Sequence, residues 1–198
     1  MTARKTGVVL ASTSAYRAEL LRRVLDDFSC QAPQVDESAL ANESPMQTAI
    51  RLAHRKACAV AASLSGGFVI GSDQVAEFDG RAIGKPGSLD NARSQLNAFA
   101  GRTLRFHTAV CLVDLRSDRR IIREACDLTI VHFRNIGHDE IDRYLETDQP
   151  FDCAGSFKIE KRGISLFERV ECDDPTALVG LPLIATCRLL REAGHPLP

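Results

Sequence analysis

Phe68-Val-Ile-Gly-Ser-Asp-Gln-Val75, continuing to Gly84-Lys85-Pro86, is the stretch around which the chain is read. Its apolar start has the character of a buried strand, and the run delivers an acid, Asp73, at its end. Glu77-Phe-Asp79-Gly80-Arg81 then reads as a hairpin turn with Asp-Gly at its tip. The returning arm brings Lys85 back beside Asp73. The glycine and proline around that lysine fix its backbone and lower the entropy lost when it grips a ligand.

Outward from this stretch, strands and helices alternate. Thr6-Gly-Val-Val-Leu-Ala11 is an apolar strand, and Leu20, Leu21, Val24 and Leu25 fall at helical spacing after it. The hydroxyl-rich turn Ser12-Thr-Ser-Ala-Tyr-Arg17 lies between them, an arrangement that attracts anions through free backbone N–H groups. Arg17 stands at the end of that helix where Glu would be preferred, which suggests a forked contact to phosphate oxygens; a serine cap with a solvated arginine is the plainer reading. Phe28–Pro33 is a short strand leading to Asp36 and Glu37, which are metal ligands or merely a charged loop. Ser44-Pro45 opens a helix that Gly66-Gly67 stops, with Ile50, Ala53, Ala57, Val60, Ala61 and Leu64 on its apolar face. Lys56 lies at the margin of that face, where it reaches a cleft or snorkels to solvent.

Beyond the opening stretch, Ser88 caps a helix running to about Ala100. Two long β-type runs, Phe106–Leu115 and Ile121–Phe133, flank a turn at Arg116-Ser-Asp-Arg119 as an antiparallel hairpin of half-buried alternation. His107 and His132 read as ordinary sheet residues. Asp139–Glu146 is a short acidic helix, and the small and charged residues of Phe151–Gly163 form a candidate binding loop. Leu183, Ile184, Cys187 and Leu190 pack a C-terminal helix. The order implies α/β architecture with a mixed sheet flanked by helices, and ligands in such folds collect beyond the carboxyl ends of the parallel strands.

Composition narrows the function. The chain's 198 residues suit one domain spanning 1–198, 44% hydrophobic and 26% charged. A net charge of -1 gives no basic field for a nucleic-acid polymer, so a polyanion must be held by a local cluster. No apolar run approaches the roughly 20 residues that span a bilayer, and the polar start lacks a secretory segment, so a cytoplasmic protein without membrane contact is expected. The seven scattered cysteines have no CxxC pair and are expected to be core thiols.

Arg17, Lys56 and Lys85 with Asp36, Glu37 and Asp73 suit a metal-bound polyphosphate. The cations neutralise phosphate oxygens, a divalent ion bridges them, and one carboxylate activates a water. Neither a Walker loop nor a Rossmann fingerprint is present.

Leu10-Ala-Ser-Thr-Ser-Ala-Tyr-Arg17, Val35-Asp-Glu37, Leu52-Ala-His-Arg-Lys56-Ala, Ile70-Gly-Ser-Asp-Gln74, Gly84-Lys-Pro86, Cys153-Ala-Gly-Ser-Phe157 and Val179-Gly-Leu-Pro182 resemble, in order, the motifs of the Maf family of nucleoside triphosphate pyrophosphatases. The likeness runs from about residue 7 to 193. It implies a fold like that of the inosine-triphosphate pyrophosphatases, two lobes with a central cleft. It also implies a homodimer and a divalent metal, Mg or Mn, in cleavage between the α- and β-phosphates.

Most members have Pro-Arg-Arg where this chain has Ala15-Tyr16-Arg17, and Asp-Thr where it has Asp73-Gln74. Tyr16, Gln74 and Ser156-Phe-Lys-Ile-Glu160 resemble the branch that prefers 7-methyl-GTP. N7-methylation makes guanine cationic, which the face of Tyr16 attracts and an arginine would repel. Glu160 accepts hydrogen bonds from guanine N1–H and its exocyclic amine.

The resulting assignment has Asp73 as general base and possible metal contact, Glu37 as metal ligand, and Ser12, Arg17, Lys56 and Lys85 on the phosphates. Tyr16, Gln74 and Glu160 set the base preference. Either carboxylate suits either role. The alternatives are a dTTP/UTP pyrophosphatase of the same family and a non-catalytic nucleotide-binding division regulator.

Overall fold

The computed structural model describes residues 7–117 and 119–197. Thr6 and Asp118, expected in the first strand and in the hairpin turn, lie outside the described residues. A mixed sheet of seven strands flanked by helices forms the frame, as expected. Strand β1 (Val8–Ala11) pairs in parallel with β2 (Phe28–Cys30) on one side and β3 (Phe68–Phe78) on the other. From β3 the sheet continues antiparallel through β5 (Thr103–Asp114), β6 (Ile121–Phe133) and β7 (Phe167–Glu171). The short β4 (Arg81–Ile83) folds back onto the end of β3. β7 has no counterpart among the expected elements: its apolar positions are too few to announce a strand.

Asp73 does not end its strand. β3 runs 11 residues, to Phe78, because it changes partners on one side. β1 accompanies it only as far as the pair Ala11–Gly71, and β4 joins it at the pair Ala76–Ile83. Ser72–Val75 therefore pair with β5 alone, and the sheet has a gap beside them. The expected hairpin is present, with Asp79 and Gly80 both at positive φ, 51° and 76°, as a tight two-residue turn requires.

The same strands pass through separate apolar cores. One holds Leu10 of β1, Leu21 of α1 (Ala15–Leu21), Leu190 of α5 (Leu183–Glu192) and Ile70 of β3. On the opposite sheet face, the alanines of α2 (Pro45–Ala61) pack against Val69 and Cys111. The third lies beyond the gap and joins Ala76 and Phe106 to α3 (Leu89–Phe99), α4 (His138–Asp148) and a set of edge-on phenylalanines, with the Phe157 and Phe167 centroids 4.7 Å apart. Two lobes thus share β3 and β5, and a cleft opens where the sheet is unpaired.

Several local expectations change. α1 and α2 end at Leu21 and Ala61 because the next turns tighten to i→i+3 bonding, leaving Val24, Leu25 and Leu64 just outside. The Ser44–Gln47 capping box fixes the start of α2 as expected. β5 is buried almost throughout, not half-buried, since it is central to the sheet and covered on both faces. Ile184 is 62% exposed, because α5 turns Leu183, Leu189 and Leu190 inward instead. Among the cysteines only Cys111 is fully buried; all seven are free, and Cys30 and Cys172 are exposed.

Candidate active site

The gap in the sheet is the floor of a cleft of about 660 Å³. Ser12, Tyr16, Arg17, Glu37, Lys56, Asp73, Gln74, Lys85 and Glu160 all line it. Asp36 does not line it and is held away by accepting a bond from its neighbour Ser38 N at 3.0 Å.

One residue without a side chain sets the geometry of the floor. A Cβ at Gly71 would lie 2.3 Å from the Ala53 carbonyl oxygen and 2.6 Å from Ala57 N, so only glycine lets α2 sit this close to β3. Asp73 is two residues on and faces the same side. Lys56, from the turn of α2 between those alanines, therefore meets it: Nζ donates to Asp73 Oδ1 at 2.5 Å and lies 3.0 Å from Glu37 Oε1. Lys56 is only 4% exposed, which removes the snorkelling alternative.

Burial pushes the Asp73 pKa up; Lys56 and Arg17 pull it back and Glu37 adds to the rise, with a raised value as the outcome. The Arg17 guanidinium is moved down by desolvation, against the pull of Asp73 and Glu37.

The wall opposite α2 is built from the first turn and the C-terminal loop. Ser14 caps α1 by accepting from Arg17 N, and Ser14 N donates to Ser12 Oγ. Arg17 Nε donates to the Gly180 carbonyl at 2.8 Å, and Ser72 Oγ lies 3.0 Å from the same oxygen. Arg17 is thus steered by a backbone carbonyl far away in sequence and is not simply solvated.

Gln74 is similarly committed. Its Nε2 donates to Ala177 O at 2.9 Å and Leu178 O at 3.1 Å, pinning the 3-10 turn Ala177–Val179. The Gly-Leu-Pro punctuation at 180–182 marks this segment in the sequence, although nothing there reveals that it anchors Arg17 and Gln74. Lys85 stands exposed at the mouth, on the arm that leaves β4.

The far end of the cleft has different chemistry. Phe106 and Phe157, 5.4 Å apart and edge-on, form its apolar lining with Ile159. Tyr16 faces the loop 152–160: burial, then Asp152, Cys153 and Glu160, push its phenol pKa up while Lys158 opposes them. Lys158 pairs with Asp152 at 3.2 Å. Burial works against the Lys158 charge, and Asp152 more than offsets it, leaving the ammonium pKa raised. The loop is held firmly. Tyr144 Oη accepts from Lys158 N at 3.0 Å, and a Cβ at Gly155 would lie 2.9 Å from Phe106 Cζ. The Phe106 and Leu178 contributions have no signal in the sequence, and Asp152 is marked only as part of the candidate loop 151–163.

A family model described as Maf-like protein matches residues 7–193 of the chain. A Xanthomonas oryzae pv. oryzae protein named 7-methyl-GTP pyrophosphatase is 54% identical over 191 residues, covering 96% of this chain and 98% of the relative. Proteins of the same name from Cupriavidus metallidurans and Burkholderia thailandensis are 49% and 50% identical, covering 97% and 96% of this chain and 96% and 89% of their own.

Proposed function

The chain belongs to the Maf family, and from that premise we propose that it hydrolyses 7-methyl-GTP to 7-methyl-GMP and pyrophosphate. The observation that carries this reading is one cleft with two unlike ends. Arg17, Lys56 and Lys85 gather with Glu37 and Asp73 at one, and Tyr16 and Glu160 stand over an apolar lining at the other.

At the first end, Lys56, Arg17 and Lys85 bind the triphosphate and offset the charge that develops on the departing pyrophosphate. Ser12 adds a hydroxyl donor. Asp73 takes the proton of the water that attacks the α-phosphorus. Its raised pKa makes it a stronger base than a solvated carboxylate, and Lys56 keeps it ionised and aimed.

Glu37 and Asp73 offer hard oxygen donors, the class taken by Mg and Mn, and each has one oxygen outside the Lys56 contacts. The residues fit such an ion, and these two would hold it. When bound, it supplies positive charge to the phosphate oxygens.

At the second end, the Tyr16 ring meets a methylated, cationic guanine by cation–π attraction, worth up to about 2 kcal/mol when desolvated. Glu160 accepts from guanine N1–H and its amine and adds opposite charge. Gln74 acts chiefly by holding the turn behind Arg17, with its Oε1 left for the ligand. The protein is taken to work as a single-domain cytoplasmic homodimer on a free nucleotide. No described helix is long and apolar enough to cross a membrane.

A panel of nucleotides assayed for pyrophosphate release with Mg or Mn tests this. Highest kcat/KM for 7-methyl-GTP is expected. Preference for dTTP or UTP would move the protein to the other branch, and no release from any nucleotide would make it a binder.

A further inference from the structure

α2 carries polar side chains on two faces. Lys56 points into the cleft, and His54, two residues earlier and about 200° round the helix, points away from it, over the β5–β6 pair. There His54 Nδ1 lies 2.8 Å from Glu124 Oε1. Cys111 and Glu124 are direct partners across β5 and β6, so their side chains share a sheet face. One ligand atom from each of the three, His54, Cys111 and Glu124, lies within 4.8 Å of the others.

We propose that His54, Cys111 and Glu124 form a second metal site, separate from the cleft, for a divalent ion of the zinc class. Imidazole nitrogen, thiolate and carboxylate are the donor set that a borderline-soft ion takes, unlike the all-oxygen pair Glu37 and Asp73.

Charge supports the assignment. Binding drives the Cys111 proton into solvent, and one thiolate and one carboxylate then cancel the charge of the ion beside a neutral imidazole. The site is therefore uncharged overall, which its partial burial favours. Tetrahedral ligands at zinc distances stand about 3.3–3.7 Å apart, so shifts of roughly 1 Å would close the set. Glu124, only partly buried, has room for that movement.

Cross-strand pairing sets the Cys111 thiol against the Glu124 carboxylate, and the His54–Glu124 pair brings the imidazole to the same point. Burial above all, then Glu124 and Cys58, pushes the Cys111 thiol pKa up, a cost that coordination of the thiolate has to overcome. Access is open too: His54 and Glu124 line a surface groove whose lining guanidinium, Arg51, is already matched by Glu43 at 2.6 Å. A fourth ligand would be water. The site would clasp α2 to β5 and β6, on the helix face opposite Lys56.

The test uses the full chain, freed of metal and kept in excess Mg so that oxygen ligands are satisfied. Cobalt titration is expected to produce a thiolate-to-cobalt charge-transfer band, and zinc to bind at one equivalent and raise the melting temperature. His54→Ala and Glu124→Gln, both at partly exposed positions, should each weaken zinc by more than the roughly 10–100-fold that loss of an outer-shell partner costs, with Mg-supported nucleotide hydrolysis retained. Cys111→Ser should abolish the band, and Cys58→Ser should leave it. Absence of the band in the wild type, its survival in Cys111→Ser, or wild-type zinc affinity in both His54→Ala and Glu124→Gln would each overturn the site. None of these outcomes bears on the nucleotide reaction, so the two readings fail separately.

Discussion

The two ends of the cleft are made differently. The Asp73 end has its central pair on regular elements, β3 and α2, almost fully buried, Lys56 at 4% and Asp73 at 6%, with Glu37 and Lys85 joining it from exposed loops. The Glu160 end is a loop without regular structure until Arg162, with Asp152 and Glu160 exposed and the one buried charge, Lys158, matched by Asp152, and it is fixed from behind by Tyr144 and by Asp148, which accepts from Arg162 N at 2.9 Å. Charges taken out of water need partners placed within tenths of an ångström, which helices and strands provide. A surface that discriminates between bases needs only a fixed outline, and a pinned loop provides that at less cost to the fold.

If the buried end performs the chemistry, the largest effect comes from its acid. Asp73→Asn should lower kcat by about 10²–10⁴-fold, the range for losing a general base, while circular dichroism and melting remain native-like. Near wild-type turnover would break the contrast between the ends. Lys56→Met should act on stability as well as rate. It leaves Asp73 buried without its closest cation, and breaking such a pair costs ~3–5 kcal/mol in urea unfolding; a loss below 1 kcal/mol would mean that Asp73 sheds its charge by taking up a proton or is reached by solvent.

Gly71→Ala probes the same end through packing. The added methyl meets the backbone of α2 at 2.3 Å and 2.6 Å, so a destabilisation of ~1–3 kcal/mol or more is expected, together with lower activity as Lys56 is displaced. At the other end the expectation inverts. Tyr16→Arg should leave stability unchanged and reduce the preference for 7-methyl-GTP over GTP by about thirty-fold, the equivalent of ~2 kcal/mol of cation–π attraction. A parallel fall in kcat for both nucleotides would instead place Tyr16 in the chemical step.

The two ends also differed in how legible they were. At the buried end, residue chemistry and alternating elements suffice: an apolar run that presents Asp73, a capped helix with Lys56 at its margin, a strand-to-helix turn with Arg17. Misread there was the length of β3, because apolar periodicity cannot say that β1 stops at Ala11 and β4 starts at Arg81, and it is that exchange of partners that opens the cleft. At the loop end, Tyr16 and Glu160 stand out only through the family resemblance, with which the charge of a methylated guanine agrees. The contacts of Gly180 with Arg17 and Ser72 leave no trace in the sequence, since they join distant segments with no periodic signal, and the Asp152–Lys158 pair lies inside the candidate loop 151–163 without any spacing that announces it.

The smallest effect tests which end owns the titration. Asp73 has a folded pKa raised above the ordinary carboxylate value of about 3.9. The ionised base that catalysis needs is therefore lost as pH falls through that raised value, and the acid limb of kcat/KM should lie above the range of a solvated aspartate. The stability contribution has the opposite sense: it is complete below the unfolded pKa and disappears as pH rises through the folded one, because ionising a buried carboxylate opposes folding. Burial does most to hold the Asp73 pKa up, and the Glu37 charge adds to it. Glu37→Gln should consequently move the acid limb of its residual activity to lower pH, whereas Glu160→Gln, at the loop end, should leave the limb where it is. A shift with Glu160→Gln and none with Glu37→Gln would assign the titrating group to the wrong end of the cleft and remove Asp73 as the base.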